Sequence, residues 1–277
     1  MKVGIIGYEG SGKTTIFGAL SGADPAELLR QKQQIREVRV PDKRIDALSA
    51  MYQPKKTIYA TIQFVDVMSG AAIGKGLDGS ILGKIREVDL LAVVVRGFSN
   101  GYDEADPKRE AQAMLSELLL SDMEIVERKV ARMQKEKVSD QEKALFRKLQ
   151  TELENEKWLK DMGLDKSELE LLRGYQFMTL KPVIIVVNVD ESEADEAHSA
   201  EVAAKLGLSE PTFVLSARVE SDIAQLPEED QADFLADLGI TATARERFIR
   251  AAYSMLDLIS FFTVGEDEVR AWTVKNG

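Results

Sequence analysis

The strongest constraint in this chain is the stretch GYEGSGKTT at 7–15, set between the apolar run KVGIIG and TTIFGALSG, which has helical character. It fits the pattern G-x-x-x-x-G-K-[ST] in full. Gly7, Gly10 and Gly12 let the backbone curl until successive N–H groups point inward, a concavity suited to phosphate oxygens. A helix that begins just after the loop adds the positive end of its dipole. Backbone amides of Gly10, Ser11, Gly12, Lys13, Thr14 and Thr15 form the cradle, Lys13 is placed for the β- and γ-phosphates, and the Thr14 hydroxyl for Mg²⁺. The alternative is a glycine-rich turn with no ligand, which the strand before it and the helix after it disfavour.

A strand–loop–helix unit needs a sheet around it. Buried-strand patterns recur at 35–40, 61–67, 90–96, 183–188 and 212–216, with helical stretches such as 41–51 and 79–87 between them. Apolar strands alternating with helices predict an α/β fold: a mostly parallel, doubly wound sheet of the P-loop NTPase type. From 108 to about 178 the alternation stops. Leu119, Met123, Val126, Val130 and Met133 recur at heptad spacing, Ser139 and Glu142 fit a helix-starting capping box, and Leu145, Leu149 and Leu153 continue the pattern. This predicts an antiparallel coiled-coil hairpin, with a compact helical subdomain as the other arrangement. The expected division is a nucleotide-binding domain over 1–107 and 179–258, a helical insertion over 108–178, and a tail over 259–277. In that tail ISFFTV and VRAWTV alternate like two strands. They either join the main sheet or begin a module that the chain does not complete.

Composition narrows the chemistry. Lys and Arg number 36 against 47 Asp and Glu, a net charge of −11, so bulk charge does not attract nucleic acid and DNA is not an expected partner. With no cysteine, disulfides and thiolate catalysis are excluded. The one histidine, His198, lies in the acidic stretch ESEADEAHSAE and reads as a solvated loop residue rather than a general base. No leader and no membrane-length apolar run is evident, which predicts a cytoplasmic protein, expected as a monomer.

Two further elements bear on the nucleotide. Asp66, at the end of TIQFVDV, sits where P-loop proteins place the carboxylate that binds Mg²⁺. After the strand VIIVVN comes Asn188-Val189-Asp190-Glu191, an N-x-x-E where guanine-specific switches carry N-K-x-D. Val189 replaces the lysine stem, and Glu191 is one methylene longer than the acid that pairs with guanine. This weakens the guanine preference and favours adenine. Ser216 and Ala217, after the next strand, match the last base-contacting loop.

Together with VRVPDKRIDALSAMYQPKKTIYATIQFVDV, IREVDLLAVVVRGF, LKPVIIVVNVDE and FFTVGEDEVRAWTVKNG, these motifs resemble the YchF/Obg-like ATPase family over nearly the whole chain. The resemblance implies a GTPase-type core that prefers ATP over GTP, Mg²⁺ as cofactor, slow hydrolysis and a ribosome or ribosome-associated partner. It also implies that the tail is the start of a β-grasp module, truncated or shortened here. Two departures concern the elements that sense the γ-phosphate. The segment GADPAELLRQKQQIREVRV has no threonine to close over Mg²⁺, and the family's D-x-x-G has become Asp66-Val67-Met68-Ser69-Gly70, with Gly70 one residue late. Gly70 is expected to offer its N–H to the γ-phosphate and, with Lys13, to serve catalysis. Three readings follow: a slow ATPase switch, a nucleotide-binding scaffold that does not turn over, and a GTP-specific GTPase.

Overall fold

The computed structural model describes residues 1–23, 28, 35–67, 72–101, 103–237 and 242–276. At its centre lies β1 (Lys2–Ile6), buried at every residue after Lys2. It is flanked in parallel by β4 (Thr61–Asp66) and β5 (Leu90–Arg96). Outward from β5 run β6 (Val183–Asn188) and β7 (Thr212–Leu215), both parallel to their neighbours, and at the other edge β2 (Ile35–Arg39) runs antiparallel to β4. The order is β2-β4-β1-β5-β6-β7. Strands β5 and β6 are near-continuous runs of Val, Ile and Leu because helices cover both faces of the sheet. Register then fixes geography: Ile5 pairs with Asp66, Arg96 with Asn188 and Asn188 with Leu215. The loops after these strands therefore converge on the carboxyl edge of the sheet, where open α/β folds bind ligands.

The helices among the described residues include α1 (Lys13–Ser21), α2 (Lys43–Tyr52), α3 (Gly79–Arg86), α4 (Pro107–Met133), α5 (Asp140–Glu154), α6 (Lys166–Leu172), α7 (Glu196–Leu206), α8 (Ala217–Gln225), α9 (Glu228–Asp237) and α10 (Ala244–Met255). Side-chain caps set several of their starts. Asp42 accepts from Arg44 N–H, which places the α2 start two residues later than the sequence pattern suggests. Asp195 accepts from His198 N–H, so His198 stands in the first turn of α7 rather than in a loop, exposed and paired with the Asp195 carboxylate.

Helix α4 carries one continuous core from the sheet into the hairpin. Its first half, through Ala111, Met114 and Leu118, lies against β5, and its second half pairs with α5 through Val126 and Met133 against Leu145, Phe146, Leu149 and Leu153. Ser139 caps α5 as expected, accepting from Glu142 N–H, while the Glu142 carboxylate pairs with Lys129 across the hairpin at 3.0 Å. After α5 the chain does not return directly. Residues 159–180, made of α6 and short 3₁₀ turns, bury Leu159, Phe177 and Met178 against the hairpin, with Tyr175 stacked on Phe177 and edge-on to Phe146.

The tail adds no strand to the main sheet. Strands β8 (Leu258–Val264) and β9 (Glu268–Lys275) pair antiparallel, and β9 also pairs in parallel with β3 (Lys56–Ile58). A hairpin alone is marginal in water, and β3 supplies the third strand. Three residues are too short a run to show a strand period in the sequence. Val269 and Ala271 of β9 are buried in the core shared with α1, β4 and α10. Among the described residues no helix is long and apolar enough to cross a membrane.

Candidate nucleotide site

Between β1 and α1 the loop takes the backbone that its glycines allow. Gly10 and Gly12 hold φ of 81° and 87°, in the left-handed region. At Gly12 a side chain is excluded twice over, since a Cβ would lie 2.2 Å from Asn188 Nδ2. Gly12 is the N-terminal boundary of α1 and carries no side-chain cap, so the first amides of the helix face the loop's concavity. The Lys13 ammonium donates to the Tyr8 carbonyl at 2.6 Å. Burial pushes the Lys13 pKa down, and the Asp66, Glu9 and Glu110 carboxylates oppose that shift.

Asp66 ends β4 beside this lysine. Burial holds its carboxyl above the ordinary range, against the opposing pull of the Lys13 ammonium and a hydrogen bond from the Thr14 side chain. The two shifts run in opposite senses because each group loses more hydration than its partner restores. Asp66 Oδ1 is buried and without a hydrogen-bond partner, as is Ser11 Oγ. A buried carboxylate oxygen left over beside a threonine hydroxyl at the mouth of a phosphate cradle fits the oxygen donor set of Mg²⁺. Among the described residues no group of three or more Asp, Glu or His forms a cage for a metal. Met68, Ser69, Gly70 and Ala71 lie outside the described residues, so the placement expected for Gly70 falls there too.

Asn188 joins the phosphate side to the base side. Its Nδ2 donates to the Ser11 carbonyl at 3.1 Å and its Oδ1 accepts from Ala217 N–H at 2.9 Å. Gly97 N–H donates to the Asn188 carbonyl at 2.7 Å, and Val189 N–H to the Leu215 carbonyl. The amide orientation follows from these partners, since one neighbour is an acceptor and the other a donor. A cavity of about 750 Å³ opens beside it, lined by Gly12, Thr15, Phe98, Val189, Glu191 and Ala217 among others. Val189 and Ala217 give it an apolar floor, while Glu191 stands exposed in a short 3₁₀ turn, Glu191–Glu193. Ser216 is buried immediately before α8.

Of the residues expected from sequence, the structure brings together the phosphate loop, Asp66, Asn188, Val189, Glu191, Ser216 and Ala217 at one edge of the sheet. Asn188 lines the cavity, yet both atoms of its amide are engaged by backbone, which makes it a strut between two loops. Phe98 and Arg218 also line the cavity and were missed. Phe98 follows the end of β5 by two residues, so its position at the carboxyl edge was the available signal. Tyr8 was missed as well: its hydroxyl donates to Glu117 of α4 at 2.9 Å.

No family model matches the chain. The ribosome-binding ATPase YchF of Haemophilus ducreyi is 36% identical over 295 residues, which cover 100% of this chain and 81% of that protein. The protein of that name from Bacillus subtilis is 34% identical, over 100% of this chain and 82% of that protein. The solved structure of the Schizosaccharomyces pombe YchF GTPase superposes with a TM-score of 0.85 at 27% identity, over 99% of this chain and 80% of that one.

Proposed function

The chain belongs to the YchF family, and from that premise we propose that it is a slow, Mg²⁺-dependent ATPase acting as a nucleotide-controlled switch on the ribosome in the cytoplasm. The observation that carries this reading is the Asn188 strut, which fixes a phosphate cradle and an apolar base cavity at one working distance. The substrate is ATP, with GTP the weaker ligand, because Val189 and Glu191 stand where a guanine reader carries Lys and Asp. Backbone amides from Gly10 to Thr15 hold the β- and γ-phosphates, and Lys13 leaves the Tyr8 carbonyl for phosphate oxygens. Thr14 and Asp66 would hold Mg²⁺, Asp66 through the oxygen that now lacks a partner. When bound, the ion neutralises charge that builds on the phosphate oxygens.

Water attack on the γ-phosphorus then depends on positioning and charge neutralisation. The sequence supplies Lys13 for charge, but residues 22–40 hold no threonine, and alanines follow Gly70 where a water-positioning glutamine would stand. Binding without comparable turnover follows. Single-turnover hydrolysis of γ-labelled ATP with Mg²⁺ tests this: slow release that disappears in Lys13→Ala is expected, and fast release without a partner contradicts it. No release at all from bound ATP would instead favour the scaffold reading. Co-sedimentation with ribosomes, with and without a non-hydrolysable ATP analogue, tests the partner.

A further inference from the structure

The phosphate loop carries an attachment that its binding role does not require. Cradling phosphate needs backbone amides and a lysine, yet residue 8 is a tyrosine, 3% exposed, whose hydroxyl donates to Glu117 Oε1, 109 residues away in sequence. Burial, the Glu117 hydrogen bond and the nearby Glu117 and Glu110 carboxylates together push the Tyr8 hydroxyl well above the ordinary phenol range, so it stays a donor. The same residue's carbonyl is what holds the Lys13 ammonium. Tyr8 is thus gripped at its backbone by the group that meets phosphate and at its side chain by α4.

A second attachment meets the same helix a little over one turn later. Asp122, fully buried, receives Arg86 Nη1 at 2.8 Å and Thr179 through both its N–H and its hydroxyl. Arg86 is the last residue of α3, the helix that follows the loop leaving Asp66, and it also reaches Ser121. Beyond these two points α4 continues to Met133 as one arm of the helical hairpin. The phosphate loop, through Tyr8, and the end of α3, through Arg86, are therefore both fastened to the stem of one 27-residue helix, about 40 Å long.

We propose that Tyr8 and Glu117 are positioning residues that couple nucleotide binding to the helical hairpin, so that ATP in the cradle alters the hairpin and a partner on the hairpin alters ATP affinity. This rests on the reading of the cradle as an ATP site. When phosphates draw Lys13 from the Tyr8 carbonyl, the Tyr8 peptide moves and Glu117 carries that movement into α4. Linkage makes the effect reciprocal, and a coupling of about fivefold or more in affinity is the expected scale.

Hydrogen–deuterium exchange of the whole chain, with and without Mg²⁺ and a non-hydrolysable ATP analogue, reads the coupling directly, and titration in parallel reads occupancy. In the parent, analogue binding changes exchange across 116–153. In Tyr8→Phe, which keeps the buried ring, the analogue still binds but the change across 116–153 is lost. Glu117→Ala behaves alike, Glu117→Gln keeps an acceptor and restores the response, and the double variant adds nothing to either single one. A response in Tyr8→Phe equal to the parent's, or none in a parent that binds the analogue, overturns the coupling and leaves the ATP site intact. Failure of the parent to bind the analogue overturns the functional reading and this inference with it.

Discussion

Replacing Asn188 with alanine removes the donor to the Ser11 carbonyl and the acceptor for Ala217 N–H, leaving two buried backbone groups without partners. Each such group costs about 1–3 kcal/mol. Chemical denaturation is expected to show that loss, and titration an ATP affinity lower by about tenfold or more, since the cradle and base loop are no longer tied. Asn188→Asp keeps the acceptor for Ala217 but turns a buried carboxylate toward the Ser11 carbonyl and the phosphates, so it is expected to lower stability as well and to damage ATP binding more than alanine does. Gly12→Ala drives a methyl group to 2.2 Å from Asn188 Nδ2 at a φ of 87°, and is expected to abolish measurable ATP binding. At this scale the sequence carried what spacing can carry. Gly7, Gly12, Lys13, Thr14 and Asp66 are a local pattern after two strands, and the parallel pairing of β1 with β4 sets them at one edge of the sheet. The role of Tyr8 was invisible because its partner, Glu117, lies 109 residues along the chain on α4, whereas for Phe98 the only signal was its place just after β5.

At the scale of elements, α4 runs its core from the sheet into the hairpin, and Asp122 is a charged group fully buried along it. Burial holds its carboxyl above the ordinary range, against the hydrogen bond from Thr179 N–H and the Arg86 guanidinium. The folded state therefore binds this proton more tightly than the unfolded chain, and this contribution to stability falls as pH rises through the ordinary carboxylate range, near pH 4, toward the raised folded value. Denaturation midpoints of Asp122→Asn against the parent test the sign: the parent's advantage over the variant is expected to shrink across that window, and a growing advantage contradicts it. Asp122→Ala leaves Arg86 and Thr179 without their acceptor and is expected to cost about 3–5 kcal/mol, read by the same denaturation. The long helices and the strands of the parallel sheet were readable because each spans several periods of its pattern. β3 was not, since a three-residue strand has no period to read. The folded-back turns over 159–180 also escaped notice, because their order comes from Phe146, Tyr175 and Phe177 meeting across the hairpin.

Over the whole molecule, the tail hairpin shares the core of the nucleotide-binding sheet instead of standing apart. Val269 is fully buried beside that core, whereas the Lys55–Asp267 ion pair that also joins the tail to β3 is exposed on both sides. Val269→Ala is expected to lower global stability by about 2 kcal/mol within one unfolding transition, and removal of the exposed pair by less than about 1 kcal/mol. A separate low-stability transition for the tail would contradict that integration. With an acidic whole, at a net charge of −11, the proposed ribosome contact rests on local surfaces rather than on bulk attraction. All of this depends on a triphosphate occupying the loop between β1 and α1, with adenine against Val189. Calorimetric titration of the purified chain with Mg²⁺–ATP and Mg²⁺–GTP measures it most directly. Saturable heat with ATP at lower concentration than with GTP, lost in Lys13→Ala, is the expected result; no heat with either nucleotide, or tighter binding of GTP, contradicts the account.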